Sequence, residues 1–149
     1  MTKVFLDTNI FLEYFEQRRE YHAVSQLLSA VEDGKLKAVV SLGCIYTLTY
    51  LIRMGLKQKG IHRPEQTVQL RATLSTIMSI VAVGGLSQNR VTKAIKDATF
   101  NDVEDSLQYQ CAIQAKCDAL ITINLRDYRD ADTAKMEILS PTEFVEKYL

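Results

Sequence analysis

A chain of 149 residues with 47% hydrophobic and 24% charged side chains has the size and balance of one folded domain. Its 18 basic and 18 acidic residues cancel, which excludes capture of nucleic acid by a global field and leaves only local patches for that task. Cys44, Cys111 and Cys117 form no CxxC pair and no apolar run is long enough to cross a bilayer, so a soluble, cytoplasmic domain with reduced, buried thiols and no membrane contact is expected.

The first apolar run, Val4 to Leu6, reads as a strand that stops at Asp7-Thr8-Asn9. Helical spacing follows from about Ile10 to Gln17. A second helix is expected from Tyr21 to Glu32, with Val24, Leu27, Leu28 and Val31 on one buried face. Asp33-Gly34-Lys35 stops it, and Lys37 to Ser41 reads as the second strand. Helices are expected from Cys44 to Leu56 and, after Gly60, from Pro64 to Met78. Ile80 to Val83 reads as a third strand, closed by Gly84-Gly85. Ser87 or Asn89 caps a helix reaching about Lys96. A helix from Asn101 to Lys116, a strand from Ala119 to Asn124 and a fifth strand from Met136 to Leu139 complete the alternation. Ser140-Pro141-Thr142-Glu143 is a capping box that opens a last short helix. Strands alternating with helices predict an α/β domain, residues 1–149, with a mainly parallel sheet covered on both faces.

The chemistry-bearing groups gather at strand ends and helix starts. Asp7 closes the first strand, and ligands of open α/β sheets bind at that edge. Asp102 and Asp105 are three apart on one expected helix and share a face. Asn124 closes the fourth strand, with Asp127 three residues on. An all-oxygen set without histidine or cysteine suits a hard cation such as Mg²⁺ or Mn²⁺. Each residue also has a plainer use. Asp102 and Glu104 can complement the dipole of a helix capped by Asn101, Asp7 can cap the helix after it, and Asn124 and Asp127 can be turn residues.

Three segments in order resemble the PIN-domain family: Lys3 to Asn9, Asp102-Val-Glu-Asp105-Ser-Leu-Gln, and Leu120-Ile-Thr-Ile-Asn124-Leu-Arg-Asp127-Tyr. Leu139-Ser-Pro-Thr-Glu-Phe144 is similar to the family's usual ending. The resemblance implies a three-layer α/β/α sandwich around a parallel sheet. It implies a metal-dependent ribonuclease specific for single-stranded RNA, often the VapC-like toxin of a toxin–antitoxin pair. By position it makes Asp7, Asp105, Asn124 and Asp127 metal ligands and Asp102 an auxiliary carboxylate. Asp7, Asp105, Asp102 and Asn124 are then the catalytic set, and Thr8 and Asn9 orient Asp7.

One position departs from the pattern. The family carries a glutamate early in the helix after the second strand, and Ser41-Leu-Gly-Cys-Ile-Tyr-Thr47 offers Tyr46 or Thr47 instead. The alternative expectation is therefore a degenerate PIN domain that binds RNA or a protein partner without cleavage. Arg126 is the basic residue expected near a substrate phosphate. The strip Arg53, Lys57, Lys59, His62 and Arg63 reads as a solvated face, and neither His22 nor His62 has a partner at ligand spacing. Part of the apolar surface on the Cys44–Leu56 and Pro64–Met78 helices is a candidate homodimer contact.

Overall fold

The computed structural model describes residues 2–149 and contains five strands and seven helices. In chain order these are β1 (Lys3–Leu6), α1 (Thr8–Phe15), α2 (Tyr21–Glu32), β2 (Lys37–Ser41), α3 (Leu42–Gln58), α4 (Glu65–Met78) and β3 (Val81–Gly84). There follow α5 (Gln88–Lys96), α6 (Val103–Gln114), β4 (Ala119–Ile121), a 3₁₀ turn (Leu125–Tyr128), β5 (Glu137–Leu139) and α7 (Pro141–Tyr148). All four strand pairings are parallel, and the order across the sheet is β3-β2-β1-β4-β5. The expected three-layer α/β/α sandwich is the observed one.

β1 lies at the centre because it can be buried on both faces. Val4 and Leu6 enter one core with Ile10, Leu27, Cys44 and Phe144. Phe5, between them, points into the opposite core with Leu120, Cys111, Cys117, Tyr128 and Met136. A strand apolar on both sides is the pattern of a central parallel strand, since alternation would leave one face to water. The predicted face of α2 is the buried one: Val24, Leu27 and Val31 are in the core, and Leu28 packs against it.

The register decides where the functional edge falls. Phe5 pairs with Val39 on one side and with Leu120 on the other, and Val40 pairs with Val83. One residue past the end of β1, Asp7 therefore stands level with Ser41 and Thr122. Three residues at or just past the ends of strands also start helices. Asp7 caps α1, Ser41 caps α3 and Ser140 caps α7, each side chain accepting a backbone N–H of the helix it opens. At the end of β3 the backbone comes close to α6. A Cβ on Gly84 would meet Val39 Cγ1 at 3.0 Å and Cys111 Sγ at 3.2 Å, so the glycine permits this contact.

Two expectations are corrected. Asp102 is not on a shared helical face with Asp105; its backbone is extended and its carboxylate caps α6 by accepting the Glu104 N–H at 2.8 Å. Asn101 precedes the cap. Nor does Asn124 close the fourth strand, which ends at Ile121. Asn9 Oδ1 accepts the Ile123 N–H at 3.2 Å and Thr122 Oγ1 accepts the Asn124 N–H at 3.1 Å. With those amides taken by side chains, the chain leaves the sheet.

Candidate active site

Asp7 is buried, which a carboxylate tolerates only when its oxygens are satisfied. Its Oδ1 accepts the Thr8 N–H at 2.8 Å and Gln108 Nε2 at 3.1 Å. Its Oδ2 accepts the Thr122 hydroxyl at 2.8 Å and the Tyr128 hydroxyl at 3.2 Å. An ionised carboxylate offers about four lone-pair sites, so Asp7 is fully occupied by donors from this chain. Those donors are themselves held. Ser41 Oγ donates to Gln108 Oε1 at 2.5 Å, and Asn9 Nδ2 lies 3.5 Å from Thr122 Oγ1.

Asp105, in the first turn of α6, faces Asp7 from the other side of Tyr128. Its Oδ1 is 3.5 Å from the same phenol, while its Oδ2 is buried and has no hydrogen-bond partner. Burial pushes the Asp105 carboxyl up from 3.8 to about 7, and the charges of Asp7, Asp102, Asp127 and Glu104 push the same way. Tyr128 is 2% exposed, and burial first, then the two carboxylates, raises its phenol far above the ordinary tyrosine range. It therefore stands between the acids as a neutral donor with a single proton.

The cleft over this pair has a volume of about 500 Å³. Asp7, Thr8, Asn9, Thr47, Glu104, Asp105 and Gln108 supply its polar wall, and Leu12, Leu42, Leu51, Leu86 and Leu107 its apolar one. Among the described residues no lysine, arginine or histidine lines it. With Asp7, Glu104 and Asp105 in its wall, the cleft has an acidic lining that favours cations over anions.

A model of the PIN domain matches residues 3–126 of this chain. The chain belongs to the PIN-domain family. Among curated relatives it is similar to "Ribonuclease VapC1" of Aquifex aeolicus (strain VF5), 30% identical over 151 residues that cover 98% of this chain and 95% of the relative. Its fold is similar to that in the structure of VapBC2 from Rickettsia felis bound to a promoter DNA fragment. The TM-score there is 0.62 at 15% identity, covering 93% of this chain and 98% of the other. VapBC-1 from nontypeable Haemophilus influenzae gives a TM-score of 0.64 at 17% identity, with 95% and 99% covered.

PIN nucleases as a class use divalent metals, and the donors here suit one in kind. The acids in the cleft offer hard oxygen ligands, and the orphaned Oδ2 of Asp105 is an oxygen that burial leaves in want of a cation. The donor number is small: among the described residues no group of three or more Asp, Glu, His or Cys side chains converges as a ligand cluster. The site therefore suits an ion that keeps much of its water shell.

Of the residues expected at the centre of this PIN domain, Asp7, Thr8, Asn9 and Asp105 meet in one cleft. Asn124, Asp127 and Arg126 are exposed around the 3₁₀ turn and do not line it, and neither does Asp102. Asp102 and Asp127 reach Asp105 only through their charge. At the departing position Thr47 faces the cleft, whereas Tyr46 is 72% exposed. Thr122, Gln108 and Tyr128 were not anticipated. The signals for them were weak: Gln108 is three residues after Asp105 on one helix, and Thr122 stands level with Asp7 only once the strand register is known. Glu104, read as a dipole residue, is also part of the cleft wall.

Proposed function

We propose that this PIN domain is a divalent-metal-dependent endoribonuclease that hydrolyses phosphodiesters in single-stranded RNA, as the toxin of a toxin–antitoxin pair. The observation that carries the reading is the buried, unpartnered Oδ2 of Asp105 beside the charge of Asp7, at the carboxyl edge of the central strand. The relative's name, a ribonuclease, supports the activity, and the VapBC complexes support an antitoxin as partner.

Asp7 and Asp105 would hold Mg²⁺ or Mn²⁺. When bound, such an ion supplies an activated water and a clamp on phosphate oxygens. The chain's own residues do the rest. Thr8, Gln108, Thr122 and Tyr128 fix the direction of the Asp7 carboxylate, and Asn9 fixes Thr122, so that the acid is aimed before substrate arrives. Glu104 extends the acidic wall. Asn124 and Asp127 stand outside the cleft and would contribute through water or through charge. Arg126, exposed on the 3₁₀ turn, is the basic side chain proposed to meet an RNA phosphate. Exposed Tyr46 and Tyr50 on α3 are the candidate contact for a second copy, which sedimentation would detect.

The test is calorimetric titration of the chain with Mn²⁺ and Mg²⁺, followed by cleavage of a single-stranded RNA, with Asp7→Asn in parallel. Metal binding and metal-dependent cleavage are expected in the native chain and not in the variant. Equal turnover in the two proteins would refute the reading.

Thr47 at the departing position favours a second reading, a PIN domain that binds RNA or a protein without cutting. RNA affinity that persists in chelator, with no products at high protein concentration, would establish it in place of the first.

A further inference from the structure

Four donors occupy Asp7, and three of them cannot leave without cost. The Thr8 N–H is fixed by the start of α1. Gln108 is anchored by Ser41 through its other end, and Thr122 is held by the Asn124 N–H and by Asn9. Moving any of these would orphan a group inside the protein.

Tyr128 is different in two respects. Its 3.2 Å bond is the longest of the four, and its hydroxyl already lies 3.5 Å from a second carboxylate oxygen, Asp105 Oδ1. Its one proton can pass from Asp7 to Asp105 by rotation about the C–O bond, with the ring unmoved against Phe100. The swap leaves no donor unsatisfied and frees one lone pair on Asp7 Oδ2, next to an Asp105 that already has a free oxygen.

We propose that the Tyr128 hydroxyl is a displaceable internal ligand of the acid pair: it links Asp7 and Asp105 in the ion-free chain and yields Asp7 Oδ2 to a divalent cation when one binds. The inference rests on the metal-binding reading above and adds a residue that sets how tightly the ion is held. Tyr128 is a positioning residue in this account. It makes ion-free and ion-bound states compete for the same carboxylate oxygen, which lowers metal affinity and spares the empty site from open repulsion between its acids.

The experiment titrates Mn²⁺ into the chelator-stripped native chain and Tyr128→Phe by calorimetry, and records thermal unfolding of both with and without the ion. Phenylalanine keeps the ring packing and removes only the hydroxyl. The variant is expected to bind Mn²⁺ more tightly, by up to about five-fold, the factor that one whole net hydrogen bond represents, because the swap weakens the Tyr128 bond rather than abolishing it. It is also expected to unfold at a lower temperature than the native chain in chelator and to gain more from the ion. Equal or weaker binding by the variant, with the native chain binding, overturns the role of Tyr128 and leaves the metal reading standing. Absence of binding by both proteins overturns both.

A second measurement does not depend on the variant. With ¹³Cζ-labelled tyrosine, Mg²⁺ is expected to shift one of the seven tyrosine resonances, the buried one whose hydroxyl changes partner. A titration that saturates by calorimetry and moves no tyrosine resonance refutes the swap.

Discussion

The end of β1 and the first turn of α6 each present a carboxylate to the same phenol, and they do so under opposite conditions. Asp7 is buried and meets four donors from four different parts of the chain. Asp105 keeps one oxygen buried and unpartnered, with acids around it. The first acid ties the end of β1 to α6, Thr122 and the 3₁₀ turn. The second is poorly accommodated by its surroundings, where burial and the neighbouring acids disfavour its charged form. Residue type does not distinguish them, since both are aspartates; the supply of donors does.

The strongest way to break this contrast is Asp7→Ala. It orphans the Thr8 N–H, the Thr122 hydroxyl and the Gln108 amide, while Tyr128 can still turn to Asp105, at an expected cost of roughly 2–4 kcal/mol in urea unfolding. A loss under about 1 kcal/mol would mean that these donors find other partners and that Asp7 has no structural role. Thr122→Val is expected to cost about 1–2 kcal/mol by the same measurement, because it removes one Asp7 donor and the acceptor for the Asn124 N–H.

Asp105 should respond in the other direction. Its carboxyl is raised from 3.8 to about 7, so over that interval the folded chain keeps a proton that the unfolded chain has released. The stability tied to that proton is fully present below 3.8 and is lost as pH rises to about 7. Because the group is only part-buried, solvent screening reduces the effect to about 1–2 kcal/mol. In chelator, the native chain should therefore lose stability relative to Asp105→Asn as pH rises through this window. A constant difference between the two would show that Asp105 does not carry the shift. Metal binding should strengthen through the same window, since the ion and the proton compete for Asp105.

The smallest expected effect tests the frame that holds both acids in place. Gly84→Ala brings a methyl against Val39 and Cys111 at the contact of β3 with α6. A cost near 1 kcal/mol is expected in unfolding, with Asp7-dependent metal binding unchanged. Altered metal binding would mean that the position of α6 over the sheet is set from this contact.

The alternation of strands and helices was legible because each has its own apolar period, and the caps Asp7 and Ser140 were legible because each stands between a strand and the helix after it, whereas the Ser41 cap was not read. The end of β4 was not. Thr122 and Ile123 are good strand residues, and nothing local reveals that Asn9, far away in sequence, takes the amide that would have continued the ladder. Asp102 was misplaced for a related reason. Asn101 and Asp102 are both able caps, and the choice between them depends on where the loop from Phe100 delivers the chain. In the site, the two acids were visible as acids. Gln108, Thr122 and Tyr128 were not, because only the register and crossing of the elements bring a glutamine, a threonine and a tyrosine to Asp7.

The three cysteines are divided by the sheet, Cys44 in one core and Cys111 and Cys117 in the other. Burial pushes Cys44 and Cys111 up to about 11 and Cys117 to about 12, so none is a thiolate at neutral pH while its layer is closed. Alkylation at each position therefore waits for its own side of the molecule to open. Rates read residue by residue, with and without metal, would measure how far a cation bound at the edge tightens the α3 layer and the α6 layer independently.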